Sequence, residues 1–143
     1  MRSLNRAVFD TNVLVSGLLG KRGAAPRLLA LARDGVFALQ ISAAILDETA
    51  EILAREFDWT QERIAIARAF LSSIAQHVIP HIELDVIARD RDDNRILECS
   101  LASRSDYIIT FDKDLLHLKR YGGADIIQPA EFLAMLRQKG AEI

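Results

Sequence analysis

Short apolar segments alternate along this chain with longer segments of helical periodicity, and this alternation constrains the fold more than any other feature. Strands are predicted at the short apolar runs, Arg6–Phe9, Val36–Ile41, Val78–Ile79, Tyr107–Thr110 and Asp125–Ile127. Helices are predicted between and after them, at about 24–33, 42–55, 60–76, 93–104, 112–119 and 129–138. Strands that alternate with helices form parallel sheets covered by helices. The predicted fold class is therefore α/β.

Several local features refine the predicted boundaries. Asp10-Thr11-Asn12 is expected to form a loop after the first strand. Ser42 is a favourable N-cap for the helix that follows it. Asp58 and Gln61 have the spacing of a capping box. The segment Tyr121-Gly122-Gly123 is expected to turn the chain.

The composition is that of one globular domain spanning residues 1–143. Half of the 143 residues are hydrophobic, which is enough to build a single core. No apolar run reaches the roughly 18 residues that a membrane span needs, and the N-terminal apolar run is too short for a signal peptide. The single cysteine, Cys99, allows no internal disulfide, is expected to be a buried small side chain, and favours a reducing, cytoplasmic location.

The net charge of −2 shows no basic excess that would indicate a nucleic-acid partner. If four acids are neutralised by metal ions, however, removing four negative charges leaves +2 on the rest of the chain. Non-specific binding of nucleic acid depends on local basic patches rather than on net charge. The bulk charge therefore does not exclude a nucleic-acid substrate.

Two acidic segments follow predicted strands. Asp10 comes directly after the first strand, and Asp112 and Asp114 follow the strand that ends at Thr110. Open parallel sheets bind ligands at the carboxyl ends of their strands. Asp10 could equally be an ordinary turn residue, and one of Asp112 and Asp114 is expected to cap the next helix, which leaves the other for chemistry. Asp112 is the preferred candidate because it is nearer the strand end.

Two further acids lie on predicted helices. At about 100° per residue, Asp93 points between Ile96 and Leu97 on an apolar face, where an ionised acid must be paired or bound to metal, whereas Glu98 and Arg95 point the other way. An N-cap role is the alternative for Asp93, although Asp92 could serve it equally. Glu48 lies at the edge of the apolar arc of its helix, where an ordinary surface position is as well supported.

These acids should meet, because strand ends and the starts of the following helices share one edge of a parallel sheet. Like charges about 4 Å apart repel by about 4 kcal/mol at an effective dielectric constant of 20. Divalent cations relieve such repulsion, and all-oxygen ligands suit Mg²⁺ or Mn²⁺. Two such ions can support phosphodiester hydrolysis. A metal-dependent nuclease is therefore the leading prediction.

Five segments, taken in order, resemble the motifs of PIN-domain nucleases. They are Val8–Leu14, Ser42 with Glu48, Arg89-Asp90 through Cys99, Asp106–Leu116 and Ile127–Leu133. The match runs from about Ala7 to Leu133, and Asp-Lys-Asp-Leu-Leu at 112–116 resembles the bacterial branch related to VapC toxins. The resemblance implies a three-layer α/β/α fold with a four- or five-stranded parallel sheet. It also implies Mg²⁺- or Mn²⁺-dependent cleavage of RNA, homodimers and a co-encoded antitoxin.

The resemblance also implies which residues act. The acidic quartet of the family falls on Asp10, Glu48, Asp93 and Asp112. Polar positions that orient the acids or the water fall on Asn12 and Thr110, and auxiliary acids on Asp90 and Asp114. Phe111 departs from the family pattern, because many relatives have a small residue after this threonine. Its bulk could narrow access to the site.

Basic side chains near these motifs are candidates for contacts with RNA phosphates. They are Lys21, Arg22, Arg89, Arg91 and Arg95. For Lys21 and Arg22, the plainer interpretation is a solvated loop. For the other three arginines, the plainer interpretation is that they compensate the charges of Asp90 and Asp92. Two other functions fit the sequence less well. One is a non-catalytic module of the same fold that binds RNA or a protein, and the other is a phosphotransfer enzyme, which needs a nucleophilic Asp with a lysine partner.

Overall fold

The computed structural model describes residues 4–20, 22–84 and 91–140, with the side chains of residues 91 and 92 outside the description. Six strands are present in this part of the chain: β1 Arg6–Phe9, β2 Ala38–Ser42, β3 Ala75–Val78, β4 Tyr107–Ile109, β5 Arg120–Tyr121 and β6 Ala124–Ile127. Seven helices accompany them: α1 Thr11–Leu19, α2 Ala24–Arg33, α3 Ala43–Phe57, α4 Gln61–Ile74, α5 Arg91–Ser103, α6 Lys113–Leu118 and α7 Pro129–Gln138.

The strands form one sheet in the order β3-β2-β1-β4-β6-β5. Five strands are parallel, and only the two-residue strand β5 runs antiparallel, beside β6. Together with the covering helices this confirms the predicted three-layer α/β/α fold. The sixth strand was not predicted because its two residues are too short to show periodicity, and its segment had been taken as a turn.

The strand order contains a switch point between β1 and β4. From β1 the chain adds β2 and then β3 on one side, and it later returns to add β4 and β6 on the other side. Ligands in open α/β sheets bind outside the carboxyl ends of the strands at such a point, because the connections there diverge and leave a crevice. The carboxyl ends of β1 and β4 are therefore the expected position of a site.

An aromatic cluster stabilises the interior around β1. Phe132 of α7 packs against Phe9, Phe37 and Tyr107, with ring centroids 6.3, 5.0 and 5.4 Å apart. Phe9 and Phe37 also stack at 5.7 Å. Edge-to-face and offset pairs at these distances are favourable beyond the burial of their area. The cluster joins α7 to strands that come from both halves of the chain.

Two local predictions were wrong. The segment after β1 is not a loop, because α1 begins at Thr11 with Asp10 at its N-cap. Val13 and Val15 have modest helix propensity but are buried, so tertiary packing overrides the local preference. The capping box was also misplaced: Thr60 caps α4 by accepting a hydrogen bond from Arg63 N–H, whereas Asp58 closes α3 in a left-handed conformation (φ 56°).

The helices in the described ranges include none that is both long and apolar enough to cross a membrane.

We predict that Phe132→Ala lowers the free energy of unfolding by about 3–5 kcal/mol, because the ring is fully buried among three other aromatic rings. Urea unfolding followed by circular dichroism measures this loss. Phe57→Ala is the control, because its ring is 46% exposed, and it should cost less than about 1 kcal/mol. Equal losses in the two variants would contradict the assignment of the core.

Candidate active site

Asp10 and Asp112 are joined at the switch point by one buried hydroxyl. Asp10 follows β1, and its backbone N–H donates to Ile109 O at 2.9 Å, which fixes it beside the end of β4. Thr110 Oγ1 donates to Asp10 Oδ2 at 2.6 Å and accepts from the Asp112 N–H at 2.9 Å. The hydroxyl is therefore used as both donor and acceptor, and it holds the two acidic segments in one orientation.

Asp112 is both a helix cap and a member of an acidic cluster. Its Oδ1 accepts hydrogen bonds from Asp114 N–H at 2.8 Å and Leu115 N–H at 3.2 Å at the start of α6. One of Asp112 and Asp114 caps α6, as expected, but the capping residue is Asp112, which had been preferred for chemistry. Because a carboxylate can accept several hydrogen bonds or cations, a capping residue can still offer an oxygen to a metal ion.

Three carboxylates meet beside this cap. One oxygen from each of Asp93, Asp112 and Asp114 lies within 4.8 Å of the others, and we name these residues the acidic cluster. Asp93 is buried (4% exposed) and lies inside α5, which is described from Arg91, so it is not the N-cap residue. Asp112 and Asp114 are half-buried. A set of oxygen donors this close has the chemistry of a site for a hard divalent cation.

Three other predicted site residues, Asp10, Glu48 and Asn12, lie outside the acidic cluster. Among the described residues, the acidic cluster includes neither Asp10, which is connected to Asp112 through Thr110, nor Glu48. Glu48 is half-buried on α3, a helix that packs against both α1 and α5. Asn12 is exposed on the first turn of α1 and lines a cavity of about 410 Å³ with Asp112 and Asp114.

Glu98 was predicted to point away from the apolar face of α5, and its burial was not expected. It is buried (7% exposed), pairs with Arg95 Nη2 at 2.8 Å and accepts the Leu84 N–H at 2.7 Å. Arg95 Nη2 also donates to Leu84 O at 3.0 Å. The i,i+3 spacing of opposite charges could have indicated the pair. Through these bonds Arg95 joins Leu84 to α5.

The remaining basic candidates are only partly covered by the structure. Arg22 is exposed beside the start of α2. Lys21, Arg89 and the predicted auxiliary acid Asp90 lie outside the described residues, as does the side chain of Arg91. Lys113, which the sequence analysis did not include among the basic candidates, is exposed and lines the same cavity as Asp112 and Asp114.

Cys99 is fully buried on α5, as predicted. Burial raises the pKa of its thiol to about 12 from an ordinary value near 9.0, and a hydrogen bond with the Ser42 side chain opposes part of that rise. A thiol with a raised pKa is a poor nucleophile and metal ligand at neutral pH, since the thiolate is the reactive form. The cysteine is therefore a packing residue.

This chain is similar to known proteins in sequence and in fold. A family model described as PIN domain matches residues 6–114. An uncharacterized protein of Methanocaldococcus jannaschii is 30% identical over 118 residues, which cover 80% of this chain and 75% of that protein. A chain in the crystal structure of VapBC2 from Rickettsia felis, bound to a DNA fragment from their promoter, superposes with a TM-score of 0.63 at 14% identity. That match covers 86% of this chain and 98% of the other, and it shows a common fold.

We predict that Thr110→Val lowers the affinity for Mn²⁺ by about 10- to 100-fold, the usual effect of removing a group that orients metal ligands. Valine fills the same space but can neither donate to Asp10 nor accept from Asp112. Isothermal titration calorimetry measures the affinity, and Thr110→Ser, which keeps the hydroxyl, is the matched control. An affinity for Mn²⁺ in Thr110→Val equal to that of the parent would contradict this role.

We predict that Cys99 makes the stability fall at alkaline pH. Its folded pKa is raised above the unfolded value, so its contribution is complete below about pH 9 and is lost as the pH rises towards 12. Urea unfolding from pH 7 to 11 should show the parent losing stability relative to Cys99→Ala above pH 9. A difference between the two proteins that stays constant over this range would contradict the raised pKa.

Proposed function

This chain belongs to the PIN-domain family, and on that basis we propose that it is a metal-dependent endoribonuclease that serves as the toxin of a toxin–antitoxin pair. Proteins of this family are generally nucleases. The single observation that carries the proposal is the acidic cluster at the switch point of the sheet. Binding and reaction in such folds occur at this position because the crevice there is open to a ligand.

The composition of the site fits Mg²⁺ or Mn²⁺. The acidic cluster offers only carboxylate oxygens, and hard divalent cations prefer oxygen donors. Three carboxylates within 4.8 Å repel one another strongly, so a bound cation would stabilise them at neutral pH. We assign Asp10, Glu48, Asp93 and Asp112 as the residues that hold the metal, with Asp114 as an additional ligand supported by its place in the cluster.

The metal and the side chains around it have different roles in the proposed hydrolysis. When bound, the metal supplies activation of water and stabilisation of the leaving oxygen. Thr110 holds the Asp10 carboxylate through its hydroxyl and fixes the backbone of Asp112, so these two acids need little reorganisation during the reaction. Asn12, exposed in the same cavity, can orient the attacking water or the substrate. No covalent nucleophile is required.

RNA is the proposed substrate, and positive side chains beside the cavity support it. Lys113 lines the cavity next to Asp112 and Asp114, where its ammonium group can contact a phosphate oxygen. Arg22 is exposed and can contact a phosphate of the RNA backbone farther from the acidic cluster. Lys21, Arg89 and Arg91 remain proposed phosphate contacts on the basis of the sequence, whereas Arg95 is left out because of its ion pair with Glu98.

The proposed partner is a co-encoded antitoxin. The likeness of fold to a chain of VapBC2 supports this assignment, as does the Asp-Lys-Asp-Leu-Leu segment that opens α6. We also propose that the protein forms a homodimer, as implied by the resemblance to VapC toxins. A cytoplasmic location suits its single thiol, which can form no internal disulfide.

We predict that the pure protein cleaves a mixed pool of single-stranded RNA in Mn²⁺ or Mg²⁺ but not in EDTA, and that Asp93→Asn abolishes cleavage. The reason is that the amide keeps the shape of the side chain but loses the charge that holds the metal. Denaturing gel electrophoresis measures the products, and thermal melting shows that each variant is folded.

Two glutamates of α3 provide a matched pair for the same assay. Glu48→Gln should reduce cleavage strongly, whereas Glu51→Gln should leave it unchanged, because Glu51 is exposed and pairs with Arg55 at 2.8 Å.

Cleavage that persists in EDTA, or full activity in folded Asp93→Asn, would overturn the proposal. Absence of both cleavage and Mn²⁺ binding would favour a non-catalytic module that binds RNA or a protein.

A further inference from the structure

Exposed apolar side chains line a cavity that adjoins the cavity of Asp112 and Asp114. Among the large hydrophobic residues that are exposed in the described part of the chain, Leu19, Phe57 and Phe111 line one cavity of about 450 Å³. Val15 and Ile52 form further apolar parts of its wall. Single exposed hydrophobic residues are ordinary, but a concave group with two aromatic rings is typical of a binding site. We name it the aromatic cavity.

The aromatic cavity adjoins the cavity that contains the acids. Phe111 and Asn12 line both, so the two cavities meet along these residues. Phe111 therefore borders both a space lined by apolar and polar side chains, including Glu56, and the space that contains Asp112, Lys113 and Asp114. A ligand in which a planar ring is joined to a phosphate through a short polar linker would extend across both cavities.

The backbone on each side of Phe111 is fixed. Thr110 N–H donates to Ile127 O at 3.1 Å, and Asp112 N–H donates to the Thr110 hydroxyl across Phe111 at 2.9 Å. Asp112 also caps α6. The ring is 48% exposed although its neighbours are tied to the sheet and to a helix. An aromatic face presented by a rigid backbone loses little freedom when it binds a second ring.

We propose that Phe111 is a stacking platform for a nucleobase of single-stranded RNA, which would sit in the aromatic cavity beside the phosphate at the acidic cluster. This inference rests on the proposed nuclease function and extends it to the recognition of substrate. Single-stranded RNA is recognised by stacking its unpaired bases on aromatic side chains and by hydrogen bonds to their edges. The Asn12 amide and the Ser16 hydroxyl, which also line the aromatic cavity, can provide those hydrogen bonds.

Tryptophan fluorescence tests stacking directly. Trp59 is the single tryptophan of the chain, so Phe111→Trp in a Trp59→Phe background places the fluorophore at the proposed platform. Asp93→Asn is included in all proteins and EDTA in all solutions, so that turnover does not obscure binding and the site is less negative. Hexa-adenylate RNA should quench the fluorescence, whereas an abasic ribose-phosphate hexamer of equal charge should not.

Affinity gives the second readout. Phe111→Ala should bind the labelled hexa-adenylate about 5- to 150-fold more weakly, the range expected for loss of stacking on one base, whereas Phe111→Tyr should stay within about twofold of the parent. Equal quenching by the abasic hexamer, or unchanged affinity in Phe111→Ala, would overturn the proposal and favour a protein partner in the cavity. Since both readouts are metal-free binding measurements, they can succeed or fail independently of RNA cleavage.

Discussion

The parallel pairing of β1 with β4 is the constraint on which the rest of the structure depends. These strands lie next to each other in the sheet although about 100 residues separate them, with Val8 opposite Ile108 and Phe9 opposite Ile109. These four residues are buried, so the pairing is stabilised by hydrophobic packing as well as by the hydrogen bonds of the sheet. Each strand ends in an acidic segment, and the pairing therefore brings Asp10 and Asp112 to the same crevice. The Thr110 hydroxyl then fixes their relative orientation.

The fold was largely predictable because its determinants are periodic. Most strands and helices were predicted within a few residues, since buried strands are short and apolar and the helices have one apolar face. Helix α1 was missed because its segment begins with turn-forming residues and contains β-branched ones. Only the packing of Val13 and Val15 in the core makes this segment helical. Strand β5 was missed because two residues carry no periodicity.

The site was less predictable because it depends on individual atoms. Position at a strand end pointed to Asp10 and Asp112, and the apolar face of α5 pointed to Asp93. The sequence could not show that Asp112 caps a helix and joins the cluster at the same time, because this depends on where the fold brings its carboxylate. The helical wheel did not indicate that Glu98 is buried, because its burial depends on the ion pair with Arg95 and on the Leu84 N–H. Phe111 was noted only as an obstruction, and its relation to two cavities emerges from the fold.

Anomalous X-ray diffraction from a crystal of the protein soaked in Mn²⁺ would locate the metal site. We expect an anomalous peak bounded by the carboxylates of Asp93, Asp112 and Asp114, at the switch point between β1 and β4. We also expect the peak to be lost in crystals of Asp93→Asn. No peak at this position in the parent protein at saturating Mn²⁺, or a peak only at acidic residues outside the assigned set of Asp10, Glu48, Asp93, Asp112 and Asp114, would contradict the assignment of the metal site.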